Sequence, residues 1–255
     1  MSALRLERDG PVLRITLARP ERRNAFDAAL IAELSKAFAD VGDARAVVLT
    51  GEGKAFCAGA DVEWQRASID LSYEENVADA LRLYAMCEAI DLCPAPVIAG
   101  VHGYALGGGS GLVACSDIVV ADADTVFGFT EVRLGIIPAV VSPYVVRKIG
   151  PGHATALFAS GIRFDARRAM DIGLVEAVES PEELDAKLAL YLDAIVAGGP
   201  RAVTAAKQLV RDVAGRPAAD VRELMVTRIA EIRVSAEGQE GMRAFLERRK
   251  ARWDT

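Results

Sequence analysis

Histidine is nearly missing: His102 and His153 are the only two in 255 residues. The four cysteines, Cys57, Cys87, Cys93 and Cys115, form no CxxC pair. Two histidines add little to them, so no metal site is expected. Unpaired thiols in a reducing cytoplasm are the plain reading. Long apolar runs are also lacking, because Pro, Gly, His and Asp interrupt every candidate, so no membrane span or membrane partner is expected. The N-terminus, MSALRLERDG, is charged from Arg5 onward and has no apolar centre, which argues against a secretory leader. There is no excess of positive charge: 30 Lys and Arg face 36 Asp and Glu, a net charge of −6. That disfavours nucleic acid or an anionic membrane surface as the main partner, while leaving room for a local basic pocket. Tandem repeats and low-complexity segments are absent too.

What remains is ordinary globular material, 52% hydrophobic and 26% charged, long enough to bury a sizeable core. The first half alternates between two periods. In VLRITLARP, Leu13, Ile15 and Leu17 share one strand face, with Arg14 and Thr16 on the other. NAFDAALIAELSKAFAD carries Leu30, Leu34 and Phe38 at helical spacing. AVVLTG predicts a buried strand ending at glycine. Residues 51–73 read as loop. A helix follows, with Leu83, Cys87 and Ile90 on one side. PVIAGV predicts another strand, then a glycine loop, a short helix through Cys115 and the strand DIVVA. Strands alternating with helices predict an α/β fold.

Beyond about residue 138 the pattern turns helical. DARRAMDIG has an N-cap aspartate and a terminal glycine, Pro200 opens a further helix, and residues 237–250 predict an amphipathic one. The expected division is a core over residues 1–195 and a helical region over 196–255, the latter suited to assembly.

The densest signal is HGYALGGGSGL, with Gly107, Gly108, Gly109 and Gly111. Glycine at that density costs backbone entropy. A nucleophilic serine is one explanation, but G-x-S-x-G around Ser110 fails because Leu112 stands where the second glycine belongs. A dinucleotide fingerprint is another, since Gly109, Gly111 and Ala114 match G-x-G-x-x-A. There the strand should run directly into the first glycine, whereas seven residues separate Val101 from Gly109. Asp122 and Asp124 also lie too close to serve as the ribose acid. A third explanation is an oxyanion hole, in which a helix starting in the loop directs free N–H groups at a ligand oxygen. A second donor would come from the other glycine-containing loop, GKAFCAGAD.

GKAFCAGAD, PVIAGVHGYALGGGSGLVACSDIVVA and FGFTEVRLGIIP, in this order and spacing, resemble the crotonase family, the enoyl-CoA hydratases and isomerases. RPERRNAF near the start and GMRAFLERRKARW at the end fit as well, so the resemblance spans nearly the whole chain. It implies a spiral of ββα units with a helical C-terminal region that packs trimers, two of which usually make a hexamer. It implies an acyl-CoA thioester as substrate, with no further cofactor. By position it implies oxyanion donors at the N–H groups of Ala60 and Gly108, and coenzyme A or substrate contacts at Gly107, Ala58 and Asp61. Arg22 and Arg23 fall where the family often has a basic residue near the phosphates. Arg248, Arg249 and Lys250 could reach a neighbour's phosphate, although a solvated helix face is the plainer reading. His102 and His153 match no catalytic position and read as structural.

The acids decide the reaction. Two-carboxylate hydratases of the family have a glutamate where this chain has Gly111, and a second that matches Glu131. Glu131 sits in an apolar context that suits a buried acid of raised pKa. With one acid, the resemblance leaves open a single-acid hydratase, an enoyl-CoA isomerase, another crotonase chemistry such as decarboxylation or carbon–carbon cleavage, and a binder of acyl-CoA without turnover. GGGSGLVACSDI and TEVRLGIIPAVVSPYVVRKIG are similar to bacterial methylglutaconyl-CoA hydratase-like members, favouring hydration of a short or branched 2-enoyl-CoA. Gly111 is then expected to be a vacant first-acid position, leaving room for a branched or carboxylated acyl group.

Overall fold

The computed structural model describes residues 2–254. Among these described residues nine strands and ten α-helices run in the order β1 (Leu4–Asp9), β2 (Val12–Leu17), α1 (Ala28–Ala39), β3 (Ala46–Gly51), α2 (Val62–Ser68), α3 (Tyr73–Asp91), β4 (Val97–Val101), β5 (Tyr104–Leu106), α4 (Gly108–Cys115), β6 (Ile118–Asp122), β7 (Val126–Gly128), α5 (Ser142–Ser160), β8 (Arg163–Asp165), α6 (Ala166–Asp171), β9 (Ala177–Glu179), α7 (Leu184–Ala197), α8 (Pro200–Val213), α9 (Ala218–Val234) and α10 (Ala236–Leu246).

Six strands form one sheet in the order β1-β2-β3-β4-β6-β9, and β5-β7-β8 form a second. Only β1 runs antiparallel in the large sheet. The chain advances one strand at a time, and β4–β5 and β6–β7 each place one strand in either sheet before a helix. That is a spiral of ββα turns.

The large sheet is covered on both faces, which explains runs such as AVVLTG that are apolar throughout. One face carries the main core, where Leu30, Leu34 and Phe38 of α1 meet Met86, Cys87 and Ile90 of α3. Burying each large side chain of this kind contributes about 1.5–3 kcal/mol. The other face meets α7 through Leu188 and Leu192. Thr16, placed outward by strand alternation, is buried and hydrogen-bonded to Thr50 at 3.2 Å.

Several expectations require correction. The segment 51–73 contains α2, which Asp61 caps by accepting from the Glu63 and Trp64 N–H groups. The second half is not purely helical, because β8 and β9 complete the two sheets. The last amphipathic helix covers Ala236–Leu246, opened by the Ser235 side chain on the Gly238 N–H. Asp165 caps α6 as its sequence suggested.

The tail returns to the start of the fold. Arg45, just before β3, donates to the carbonyls of Val196, Gly198 and Trp253, and the Trp253 indole donates to Ala197 O at 3.2 Å.

Candidate active site

Two loops meet at the C-terminal ends of β3 and β4. A short parallel bridge joins them: Cys57 N–H donates to Tyr104 O and Leu106 N–H to Cys57 O, each at 3.0 Å. A second bridge holds Ala60 against Phe26. Phe26 N–H donates to Gly59 O and Asp61 N–H to Phe26 O, both at 2.7 Å. In a parallel bridge the residue between those two bonds turns its own N–H the other way. Ala60 N–H is therefore directed away from Phe26 and donates to no backbone carbonyl among the described residues.

Gly108 opens α4, where the first N–H groups of a helix have no intrahelical acceptor and carry the positive end of its dipole. Gly107, just before it, adopts φ +52° and ψ −121°, a conformation closed to residues with a side chain. Gly109 lies against the Cys57 carbonyl, leaving no space for a Cβ. The glycines thus let the two loops close on one another.

Ala60, Gly108 and Glu131 line one cavity of about 400 Å³, walled by apolar groups including Phe26, Leu83, Ile136 and Val141. Glu131 starts a 3-10 turn, Glu131–Leu134, closed by Gly135 in the left-handed region. Its Oε1 lies 3.3 Å from where a Cβ on Gly107 would sit. Its Oε2 is buried without a hydrogen-bond partner. Burial raises the Glu131 pKa above the ordinary carboxylate range, against a smaller lowering by its own backbone N–H. An acid held this way can take up and return a proton within the cavity.

Gly111 lies within α4 and is buried, but it is not a vacancy. A Cβ there would stand 2.2 Å from Val141 Cγ1 and 2.9 Å from Val141 Cβ. Val141, itself 3% exposed, occupies the direction in which a side chain would point. The expected room for a larger acyl group is therefore absent at this position.

Ala58 and Gly107 line the cavity, whereas Asp61, Arg22 and Arg23 do not. Asp61 is engaged elsewhere, as N-cap of α2 and ion-pair partner of Arg22 at 3.0 Å. Burial pushes its pKa up, but Arg22 and the two capping N–H groups outweigh this and hold it below the usual range. Arg22 also reaches Glu63 at 3.1 Å, so its charge is committed within the protein. Arg23 is exposed, and its carbonyl accepts from Ala58 N–H at 3.0 Å. Arg249 pairs with Glu240 and Glu247 on its own chain. His102 and His153 lie outside the cavity, against Gly53 O and the Arg168 guanidinium. Among the described residues no cluster of His, Cys, Asp or Glu suits a metal ion, and no helix is long and apolar enough to cross a membrane.

Sequence reasoning missed two groups. Trp64, Gln65 and Ser68 of α2 line the cavity, and the N-cap signal of Asp61 would have revealed their helix. Asn24 is fully buried at φ +54°, where it accepts from Arg19 N–H and donates to Glu52 O and Ala55 O at 2.8–2.9 Å. It fastens the loop that carries Ala60 to the turn before α1.

This architecture is the crotonase fold. A solved enoyl-CoA hydratase of Shewanella pealeana superposes with a TM-score of 0.94 at 36% identity, over 98% of this chain and 96% of that one. AtuE of Pseudomonas aeruginosa does so with a TM-score of 0.95 at 36% identity, over 99% and 100%. A crotonyl-CoA hydratase of Syntrophomonas wolfei is 32% identical over 251 residues, 96% of this chain and 95% of its own. With the enoyl-CoA hydratase/isomerase profile matching residues 7–255 as well, the chain belongs to that family.

Proposed function

We propose that the protein hydrates a short or branched 2-enoyl-CoA. The Ala60 and Gly108 N–H groups hold the thioester oxygen, and Glu131 serves as the single acid and base. The carrying observation is the juxtaposition in one cavity of two uncommitted N–H donors and a buried carboxyl whose Oε2 has no partner. Such donors stabilise the enolate oxygen that forms when water adds across the double bond. Glu131 orients that water, takes its proton and returns one to the α-carbon. The thioester supplies all the chemistry required, so no cofactor enters.

The cavity size and its apolar wall favour a small acyl group. No Lys or Arg lines it, so a terminal carboxylate on the acyl chain would find no counter-charge. The coenzyme A moiety extends out past Ala58 toward Arg23.

A second reading, isomerisation of a 3-enoyl-CoA, is favoured by one observation: apolar Val141 occupies the space beside Gly111, where a second acid would stand. Glu131 would then shuttle one proton between two carbons. Incubation with crotonyl-CoA and with a 3-enoyl-CoA, following the conjugated thioester absorbance, separates the readings. Loss from crotonyl-CoA supports hydration, and gain from the 3-enoyl ester with none lost from crotonyl-CoA supports isomerisation. No change with either ester, while both still bind, would leave a binder without turnover.

The region 196–255 is the assembly surface of a trimer or hexamer. Phe245 and Leu246 at the end of α10, and Val234 at the end of α9, are each more than three-quarters exposed. Large apolar side chains left in water at that density support self-association. Light scattering at micromolar concentration tests this, a monomer being the refuting result. Four unpaired, buried cysteines suit a reducing, cytoplasmic setting.

A further inference from the structure

The helix that presents Gly108 is short and weak on its own. Of the eight residues of α4, three are glycines, and no acidic side chain stands in its first turn. Eight residues fall below the length at which an isolated helix holds in water. Its position depends on what grips it from outside. Ser110 Oγ grips the N-terminal half through Ala105 O at 2.6 Å. At the C-terminal end, the Lys148 ammonium from α5 donates to Val113 O at 3.2 Å and Ser116 O at 2.5 Å.

Lys148 is partly buried, and Asp117 and Asp91 beside the same cavity are already paired, while Glu176 is exposed. Asp117 pairs with Lys207 at 2.6 Å, and Asp91 pairs with Arg147 and with Arg211. Its charge is therefore spent on the last carbonyls of α4, the negative end of that helix's dipole. We propose that Lys148 is a positioning residue for the oxyanion hole: by clamping the C-terminal end of α4 it holds the Gly108 N–H in place at the other. The inference rests on the reading of Gly108 as an oxyanion donor.

Burial pushes the Lys148 ammonium down to about 8, with Asp117, Cys115 and Glu176 opposing and Arg147 reinforcing that shift. Lys207 and Arg211 of α8 and Asp91 of α3 face the same cavity. The neighbouring Cys115 thiol and Tyr144 phenol are pushed up by burial, so neither ionises before Lys148 does. Raising the pH through about 8 removes the clamp's charge, and turnover falls. Stability moves the other way. The unfolded chain keeps the proton up to its ordinary 10.5 while the folded chain releases it near 8, so the folded state gains relative stability across that interval. A residue whose loss weakens catalysis without weakening the fold is distinct from a packing residue.

The test is the pH dependence of kcat for crotonyl-CoA hydration in the wild type, Lys148→Met and Lys148→Arg, with thermal melting and amide exchange of α4. The wild type is expected to lose turnover on the alkaline side near pH 8. Lys148→Met should show kcat reduced on the order of tenfold at pH 7. It should also lack the alkaline limb, keep KM, melt no lower than the wild type at pH 7, and exchange its α4 amides faster. Lys148→Arg, which stays charged, should keep kcat and move the limb upward. Full kcat in Lys148→Met, or an unmoved limb in a folded Lys148→Arg, overturns the proposal. If the wild type hydrates nothing, the hydratase reading fails, and the amide exchange of α4 in Lys148→Met alone decides whether the clamp exists.

Discussion

Val141 fills the space that a side chain at Gly111 would need, its Cγ1 lying 2.2 Å from the position of a Cβ there. Substituting Gly111 with glutamate therefore overpacks the core rather than restoring a second acid. Gly111→Glu should lose about 1–3 kcal/mol of stability or more, and hydration of crotonyl-CoA should not improve. Val141→Ala placed in the same chain should return part of the loss. Urea melts of both single variants and the double variant provide the coupling energy, and additive losses would refute the contact.

Glu131→Gln keeps the shape of the side chain and removes its proton chemistry. The expected loss in kcat is on the order of 10²–10⁴-fold, with thioester binding retained. Near-normal turnover would remove Glu131 from the mechanism.

The same substitution has a pH signature in stability. Because burial raises the folded-state pKa of Glu131, the folded chain binds more protons than the unfolded one between the two values, and stability falls as pH rises through that window. Glu131→Gln should therefore melt above the wild type at pH 7, by about 1–3 °C. The gain should vanish below the ordinary carboxylate range. Differential scanning calorimetry at pH 7 and pH 3 reads both outcomes.

Asn24, itself fully buried, makes three hydrogen bonds between the turn before α1 and the loop that carries Ala60. Asn24→Ala leaves those backbone groups unpaired and forces alanine to a positive φ. A loss of about 2–4 kcal/mol is expected. Chemical denaturation measures it, and a change below 1 kcal/mol, about the worth of one ordinary hydrogen bond, would refute the assignment.

Asp61 is a cap before it is anything else. Asp61→Ala removes the acceptor for the Glu63 and Trp64 N–H groups, so α2 should fray at a cost of about 1 kcal/mol. Faster amide exchange across residues 62–68, with the preceding loop that carries Ala60 otherwise intact, is the expected observation.

The alternation of strands and helices was legible because sheet and helix periods are local properties of the chain. The burial of Glu131 was legible because apolar neighbours in sequence stay neighbours in space around a short turn. Gly111 was misread because its missing side chain is balanced by Val141, thirty positions along, and spacing carries no trace of that contact. Arg22 and Asp61 suggested coenzyme A contacts from position alone, yet each found the other first. Charge in a sequence says what a residue can pair with, and only the fold says which partner arrives. The helix α2 escaped because seven residues are too few for apolar periodicity to stand out.

The grip of Arg45 on Val196, Gly198 and Trp253 joins positions up to 208 apart in the chain. During synthesis the strands β1–β3 emerge and can pair long before their last fastening exists. Until residues 196–198 clear the ribosome, the Arg45 guanidinium has none of these carbonyls to bond, Trp253 is the last of them to arrive, and the underside of the growing sheet waits for α7. A contact of such span is made late and slowly. The chain therefore builds its sheet first and fastens it last.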